Sequence, residues 1–217
     1  MIYYYGEWWD DSVYMTTTYH DDYNWRSAGE QICNGKKAVL QDNPFVLEAD
    51  EAYNLFTGCT GIENIEYLDI SACTNLSCMF YGYNNSDNTT LDLSWLDVSN
   101  VTNMESMFSN SSVEYLNLMG WNVSKVRNFD SMFQMCEHLR NIYVDSGTNW
   151  QTATGGRATG TDMFSNCISL QNYDSYEWDL NMATSVGGYF SAREPKWIKC
   201  LPYRKENGVW VPVEVYK

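Results

Sequence analysis

A segment that ends in Phe, most often as Met-Phe, recurs along the chain at intervals of about 25 residues. Residues 97–108 align without a gap to residues 122–133, and residues 72–80 match the last nine positions of that segment. The anchor phenylalanines are separated by 24, 28, 25, 31 and 26 residues and are Phe56, Phe80, Phe108, Phe133, Phe164 and Phe190. This repeat constrains the fold because one copy cannot bury an apolar face alone and must stack on its neighbours.

Each copy has the pattern of a short strand followed by a compact apolar segment. Apolar and polar residues alternate in four places, which predicts parallel, half-buried strands beginning near Leu68, Leu91, Leu116 and Ile142. In the Phe-ended segment, Val101, Met104 and Phe108 stand at i, i+3 and i+7, as on one face of a short helix. Thr102 followed by Glu105 fits a capping box at its start. The pattern predicts a solenoid whose Met-Phe pairs point inward as ladders.

The residues of the repeat carry a family resemblance. Leu91-Asp92-Leu93-Ser94, followed by residues 97–104 and by Met107-Phe108, resembles the repeat of BspA-like leucine-rich-repeat proteins, a bacterial surface protein repeat. The resemblance covers residues 46–190. It implies an α/β solenoid of leucine-rich-repeat type, with a parallel β-sheet, short helical turns and about six repeats. It also implies an extracellular or cell-surface location and adhesion or protein binding, and it supplies no catalytic residues.

Three regions are predicted along the chain: 1–45, an N-terminal aromatic-rich cap; 46–190, the solenoid; and 191–217, a C-terminal β-hairpin cap. Both ends of a solenoid need such caps. In the last region Asn207-Gly208 is a tight-turn signal, and Pro212 suits an edge strand only. Residues 191–217 hold six Lys or Arg and three Asp or Glu, against seven and 25 in residues 1–190. We interpret the basic end as neutralising the acidic solenoid, with docking of a partner as the alternative.

The charge of the chain excludes several classes of partner. Among 217 residues, 13 Lys and Arg stand against 28 Asp and Glu, a formal net charge of −15. Such a surface does not neutralise phosphates, so we expect no nucleic-acid binding. An anionic membrane surface is equally disfavoured. No apolar run approaches the roughly 20 residues that a membrane helix needs, so no membrane insertion is expected.

The seven cysteines follow the repeat more than they follow any metal-site spacing. Three stand three residues after an anchor Phe, and a fourth takes the place of a repeat valine: Cys59, Cys136, Cys167 and Cys73. We interpret these four as buried packing residues, with a disulfide or a metal site as the alternative. Cys78 takes the place of a repeat serine and is predicted to be more exposed, while Cys33 and Cys200 lie outside the repeats without an assigned role.

Catalytic chemistry has little support in this sequence. The chain contains two histidines, His20 and His138. Cys136 lies close to His138 in sequence, but it occupies a repeat position that is expected to be internal, and no orienting acid accompanies the pair. No P-loop, EF-hand loop, GxSxG or HExxH motif occurs. We therefore predict no catalytic site, no cofactor and no metal.

Aromatic side chains are the candidates for partner contacts, because exposed aromatics are enriched at interface hot spots. Leu96, Trp121 and Trp178 each lie twelve residues before their anchor Phe and are predicted to form one buried column. Other aromatic residues fall outside that column and are the predicted contact residues: Trp95, Trp150, Tyr81, Tyr83 and Tyr115. Trp8 and Trp9 belong to an aromatic N-terminal segment that we expect to cover the first repeat and to contact a partner.

The most favoured function is a non-catalytic protein-binding or adhesion module of the bacterial surface-protein type. Its partner would be a host protein or an assembly component, with glycan contacts through exposed aromatics as an addition. The residues after Met1 lack the basic and apolar regions of an export signal. A bacteriophage virion structural or host-attachment component with a borrowed surface-protein repeat is therefore the alternative. An enzyme is the least favoured class.

Overall fold

The protein is a parallel β-solenoid of about five turns with almost no helix, consistent with a leucine-rich-repeat-like fold. The computed structural model describes residues 1–6, 11–18, 24–25, 33, 35–193, 203–206 and 209–212. The predicted solenoid class is confirmed. One continuous apolar core runs through the described turns, from Ile2 to Phe190.

Thirteen strands and one short helix make up the regular structure of these residues. The strands are β1 (Tyr3–Gly6), β2 (Ser12–Thr16), β3 (Asn24–Trp25), β4 (Lys37–Leu40), β5 (Phe45–Val46), β6 (Ile62–Glu63), β7 (Leu68–Asp69), β8 (Thr90–Asp92), β9 (Tyr115–Asn117), β10 (Asn141–Asp145), β11 (Phe190–Arg193), β12 (Tyr203–Glu206) and β13 (Val209–Pro212). The α-helix is α1 (Trp150–Ala153), and two 3₁₀ turns span Ile65–Tyr67 and Leu180–Met182.

The C-terminal part of the solenoid carries a four-stranded parallel sheet in the order β11-β10-β9-β8. In its register Leu91 lies opposite Leu116, which lies opposite Ile142. Three of the four predicted strand positions therefore lie side by side in parallel, as expected. The fourth does not join them, because Leu68 in β7 pairs with Phe45 in β5 and not with β8.

The N-terminal part contains a five-stranded sheet in the order β3-β1-β2-β4-β6. Strands β1 and β2 are antiparallel, whereas β2-β4 and β4-β6 are parallel. Parallel pairing thus begins N-terminal to residue 46, and the division into cap and solenoid stays a prediction. In the predicted C-terminal hairpin, β12 and β13 pair antiparallel with Tyr203 opposite Pro212. The predicted turn Asn207-Gly208 and the strand predicted over residues 196–201 lie outside the described residues.

The predicted helix over residues 101–108 is wrong, and so is its capping box. Residues 105–110 form a succession of turns, and Ser106 lies in the left-handed region at φ 53°. Left-handed residues recur two positions before each anchor Phe at Asn54, Cys78, Ser106, Ser131 and Asp162. They prevent helical propagation and leave the amide groups to bond to the next turn of the solenoid. We call each segment of turns that contains an anchor Phe, such as residues 105–110, a Phe turn.

Backbone hydrogen bonds join successive Phe turns. Phe80 N donates to Met107 O at 2.8 Å, and Phe108 N donates to Met132 O at 2.9 Å. The residues two positions earlier repeat the pattern, since Cys78 N donates to Glu105 O at 2.9 Å. The Phe turns therefore form a second ladder, opposite the sheet, in which each turn donates towards the C-terminus.

The phenylalanines of five Phe turns form an offset stack inside this ladder. The centroids of consecutive rings from Phe56 to Phe164 are 5.5, 5.3, 5.6 and 5.4 Å apart. All of these rings are buried, and the preceding methionines line the core beside them as Met79, Met107, Met132 and Met163. The predicted inward ladders are confirmed.

Phe190 is not a sixth anchor. It lies in β11, opposite Ile142, and meets the ring of Phe164 at 77° with 6.1 Å between centroids. Just before it, at Gly188, the chain passes so close to the Leu180–Met182 turn that a Cβ atom would come within 2.4 Å of Met182 O. The described residues that follow Gly188 join the sheet next to β10 and form no further Phe turn.

The last Phe turn has its amide donors capped by the loop that follows it. Three N–H groups donate to residues 173–179: Asp162 N to Asp179 Oδ1 at 2.9 Å, Phe164 N to Trp178 O at 2.7 Å and Asn166 N to Tyr173 Oη at 3.0 Å. A carboxylate, a carbonyl and a phenol hydroxyl thus replace the carbonyls of a sixth turn. The exposed end of the ladder is satisfied without a further repeat.

One of the four cysteines predicted to pack in the core is instead cross-linked. Cys59 forms a disulfide with Cys33, 26 residues away. In later turns the equivalent thiols donate to the preceding anchor carbonyl, as Cys136 Sγ does to Phe108 O at 2.9 Å. Cys59 lies in the first Phe turn, where no preceding anchor exists, and Cys33 occupies that side. The remaining three, Cys73, Cys136 and Cys167, are buried free thiols.

Replacing Phe108 with Ala is expected to lower the free energy of unfolding by about 3–5 kcal/mol, because it opens a cavity in the middle of the ring stack. Urea denaturation followed by circular dichroism measures this loss. Tyr176→Ala, at an 88% exposed site, is the control and should change stability by less than about 0.5 kcal/mol. An equally small effect for Phe108→Ala would contradict the stack as a source of stability.

A single carboxylate ties β2 to the segment after β4. Asp42 Oδ2 accepts hydrogen bonds from Thr16 Oγ1 at 2.8 Å and from Thr17 Oγ1 at 2.7 Å, and Thr17 N donates to the same oxygen. Burial raises the pKa of Asp42, but the hydrogen bonds from Thr17 and Thr16 outweigh it and hold that pKa below its ordinary value. The ionised form therefore stabilises the folded state.

Asp42→Asn should destabilise the protein by about 1 kcal/mol at pH 7, because charge-assisted bonds are lost from a half-buried site. The pKa of Asp42 is lower in the folded state, so its contribution is present above the unfolded pKa of about 3.9 and is lost as the pH falls through the folded pKa. Urea unfolding from pH 7 to pH 2.5 should show the difference between the two proteins shrinking. The exposed Asp87→Asn is the control, and a pH-independent difference for Asp42→Asn would contradict this role.

Candidate functional site

The four-stranded sheet has one face in the core and one face outward. Because strand side chains alternate, Leu91, Leu116 and Ile142 point inward, and their sequence neighbours point outward. We call the outward set the outer face: Thr90, Asp92, Tyr115, Asn117, Asn141, Tyr143, Asp145 and Ser191. It is a regular surface built from four parallel strands.

Two tyrosines lie diagonally across this outer face. Tyr115 lies opposite Asn141, and Tyr143 follows two residues later on the same strand, opposite Asn117. Diagonal neighbours on adjacent strands are about 7–8 Å apart, so two large rings share one patch. Both side chains are half-buried. Tyrosine offers a wide apolar contact area with a polar tip, which suits an interface with water at its rim.

Hydrogen bonds fix the polar residues around the tyrosines. Asn117 Nδ2 donates to Asp92 Oδ1 at 3.0 Å, and Asp145 Oδ2 accepts from Gly120 N at 2.8 Å. Asn141 Nδ2 donates to Ser191 Oγ at 2.8 Å on the neighbouring strand. Side chains held in this way lose little conformational entropy when a partner covers them. The outer face is therefore preorganised for contact.

The part of the chain that carries most of the outer face is acidic. Residues 50–178 hold four Lys or Arg and 16 Asp or Glu. Among the cations, Arg140 Nε is paired with Glu114 Oε2 at 2.9 Å, and Lys125 Nζ donates to Asn100 Oδ1 at 2.7 Å. A surface of this kind favours a partner with a basic face.

The structure divides the aromatic residues predicted as contacts. Tyr115 lies on the outer face, Trp95 is 42% exposed in the turn after β8, and Tyr81 is 40% exposed beside its Phe turn. The predicted exposure is wrong for Trp150 and Tyr83, which are 1% and 4% exposed. Trp8 and Trp9 lie outside the described residues, so their role stays a prediction.

Trp150 is buried because the insertion that carries it folds inward. Its ring lies 6.3 Å from Trp121 and 5.0 Å from Phe129, between ring centroids. Trp150 therefore takes the place next to Trp121 in the buried column where Trp178 was predicted. Trp178 itself is only half-buried. Tyr83 packs edge-on against Phe80 at 6.1 Å. Tyr143 was missed by the sequence prediction, although the strand alternation that predicts Leu116 as buried and Tyr115 as outward applies equally to Ile142 and Tyr143.

No set of catalytic side chains lies together in the part of the chain that the structure describes. An open polar groove of about 350 Å³ is lined by residues of three adjacent turns, including Asn84, Ser112 and His138. Cys136 lies beneath the surface, and its burial raises the pKa of its thiol to about 11. It therefore stays protonated at neutral pH and is a poor nucleophile. Within the described ranges, no group of three or more His, Cys, Asp or Glu is placed to hold a metal ion.

The fold and the outer face define the class of this protein as a leucine-rich-repeat-like solenoid with one acidic, tyrosine-bearing sheet. None of the helices in the described ranges is long and apolar enough to cross a membrane. The chain belongs to the family described as "Mycoplasma protein of unknown function, DUF285", whose model matches residues 50–178. No curated protein and no solved structure matches the chain. The narrower resemblance to BspA-like repeats stays a prediction.

Proposed function

We propose that this protein is a non-catalytic protein-binding module of the bacterial surface-protein type. The observation that carries the proposal is the outer face, where Tyr115 and Tyr143 lie in a rigid, hydrogen-bonded and acidic surround. The partner is a protein that presents a basic patch to this face. Glycan contacts are secondary, because both tyrosine side chains are half-buried.

The distribution of side chains supports binding over catalysis. An enzyme needs titratable groups that converge in a concave pocket, whereas a binding module needs a broad surface with a few anchoring aromatics. The described residues supply the second arrangement. Interfaces of standard size bury about 800 Å² on each partner, which a four-stranded sheet with its flanking turns can provide.

The cell surface is the setting that the repeat favours. The BspA-like resemblance of residues 91–108 supports adhesion at a bacterial surface, and the matched family is a surface-protein-like repeat family. The alternative setting is a bacteriophage virion. Gene neighbourhood separates the two settings: flanking phage structural genes would overturn the surface proposal.

Tyr115→Ser and Tyr143→Ser should each weaken partner binding by about 2 kcal/mol, or about 30-fold in Kd, because aromatic anchors carry most interface energy. The probes are immobilised fibronectin, laminin and collagen, with binding followed by biolayer interferometry. Saturable binding to one of them is expected.

The matched control is Tyr176→Ser, the same substitution at a fully solvated loop position. It should bind like the parent, and thermal unfolding should show that all three variants remain folded. An absence of saturable binding to every probe would overturn the proposal, as would an equal loss in Tyr176→Ser. Binding to a glycan array alone would replace the protein partner by a glycan.

A further inference from the structure

The parallel stacking of strands is interrupted at one place. Within the described residues, β8 pairs with β9 alone, and β7 pairs with β5 alone. The same two turns of the solenoid are nevertheless joined on the opposite side, where Leu76 N donates to Asn103 O at 2.9 Å and Thr102 N donates to Thr74 O at 2.8 Å. The two turns therefore touch at their Phe turns and part at the sheet.

The insertion at residues 81–90 holds this opening. It is folded on itself, because Asn85 Oδ1 accepts from Asp87 N and Asn88 N at 3.1 Å each, and Asn88 Oδ1 accepts from Thr90 N at 3.0 Å. The insertion thus enters β8 as an ordered loop. It lines the opening together with β6 and the Ile65–Tyr67 turn.

Backbone groups of β8 face this opening. Thr89 O and Leu93 N bond to β9, so in a parallel ladder the alternate residues, Thr90 and Asp92, direct their backbone groups to the other side. Thr90 O, Asp92 N and Asp92 O have no hydrogen-bond partner among the described residues. A strand edge of this kind is a template for pairing with another extended chain.

The opening has an apolar floor and an acidic rim. Its volume is about 290 Å³, and we call it the β8 cleft: Ile62, Ile65, Tyr83, Asn85, Asn88, Thr90, Leu91 and Asp92. Ligand pockets have volumes from about 300 Å³ upwards, so this cleft is small for a binding pocket. It admits side chains of a single segment and no folded domain. Asp92 lines the cleft and is exposed. Glu63 and Glu66, next in sequence to the lining residues Ile62 and Ile65, are also exposed, and Glu63 is paired with Lys37 at 2.5 Å.

We propose that the β8 cleft binds an extended, basic segment of a protein partner as an added β-strand. The inference rests on the proposed function and names the element of the partner that this protein recognises. Main-chain bonds to Thr90 and Asp92 supply the pairing. Alternate side chains of the segment are apolar and cover Leu91 and Ile62, and the others are Lys or Arg and meet the acidic rim.

The test uses a fluorescein-labelled peptide of eight residues with alternating Val and Lys, followed by fluorescence anisotropy. Two peptides serve as controls: the same sequence with N-methyl groups at alternate residues, and alternating Val and Glu. The Val-Lys peptide should bind saturably, and the Val-Glu peptide should not bind. N-methylation should lower the affinity at least tenfold, because it removes the backbone N–H donors along one edge of the peptide strand. Equal binding of the N-methylated peptide would show simple charge attraction and overturn the proposal.

Variants of one position separate pairing from charge on the protein side. Asp92→Pro removes the amide donor from the open edge, which an edge strand tolerates, together with the side-chain acceptor of Asn117 Nδ2. Asp92→Asn removes the charge and keeps an Oδ1 acceptor. Asp92→Pro should weaken binding of the Val-Lys peptide at least fivefold more than Asp92→Asn does. Equal losses of affinity would count against strand addition. Thermal unfolding checks both variants, and the N-methylated peptide decides the matter if Asp92→Pro does not fold.

The outer-face variants keep this inference separate from the proposed function. Tyr115→Ser and Tyr143→Ser should leave the Val-Lys peptide bound with unchanged affinity. If they abolish its binding, the peptide lies on the outer face and the β8 cleft is not its site. Matrix-protein binding without any peptide binding would overturn the cleft and leave the proposed function standing.

Discussion

The hydrogen bonds between successive Phe turns are the interaction on which the rest of the structure depends. Phe80 N bonded to Met107 O, and Phe108 N bonded to Met132 O, fix the distance between turns on one side of the solenoid. That spacing brings consecutive phenylalanine rings to 5.3–5.6 Å and allows their faces to stack. It also sets the separation at which β8, β9 and β10 pair. The left-handed residues, such as Ser106, are the local cost of directing those amides to a neighbour.

Sequence periodicity predicts the inward ladders and most of the parallel strands, because both follow from which side chains are apolar. It fails for the segment from Val101 to Phe108, where the spacing of a helix face and that of a compact turn are the same. The helix and the turn differ in the sign of φ at Ser106, and a serine residue does not by itself indicate a positive φ. The disulfide was likewise beyond the pattern, since Cys33 lies outside every repeat and only the fold brings it to Cys59.

The candidate site shows the same division. Alternation along a strand predicts Tyr115 on the outer face and would have predicted Tyr143 by the same rule. It says nothing reliable about insertions, because their residues have no repeat partner to be compared with. Trp150 is the clearest case: it entered the core and stacked near Trp121, and the register of the repeats gave no sign of this. The open edge of β8 could not be foreseen either, since the insertion that causes it reads as an ordinary polar loop.

The cap at the C-terminal end of the Phe-turn ladder bears on how such a protein can change in length. Each middle turn presents carbonyls to the turn before it and amides to the turn after it, so any two middle turns are interchangeable in their main-chain bonding. Asp179, Trp178 and Tyr173 close the final set of amides by themselves. Duplication or loss of a whole middle turn therefore leaves the C-terminal cap chemically complete. Evolution can therefore lengthen or shorten the solenoid by whole middle turns while the capping loop stays the same.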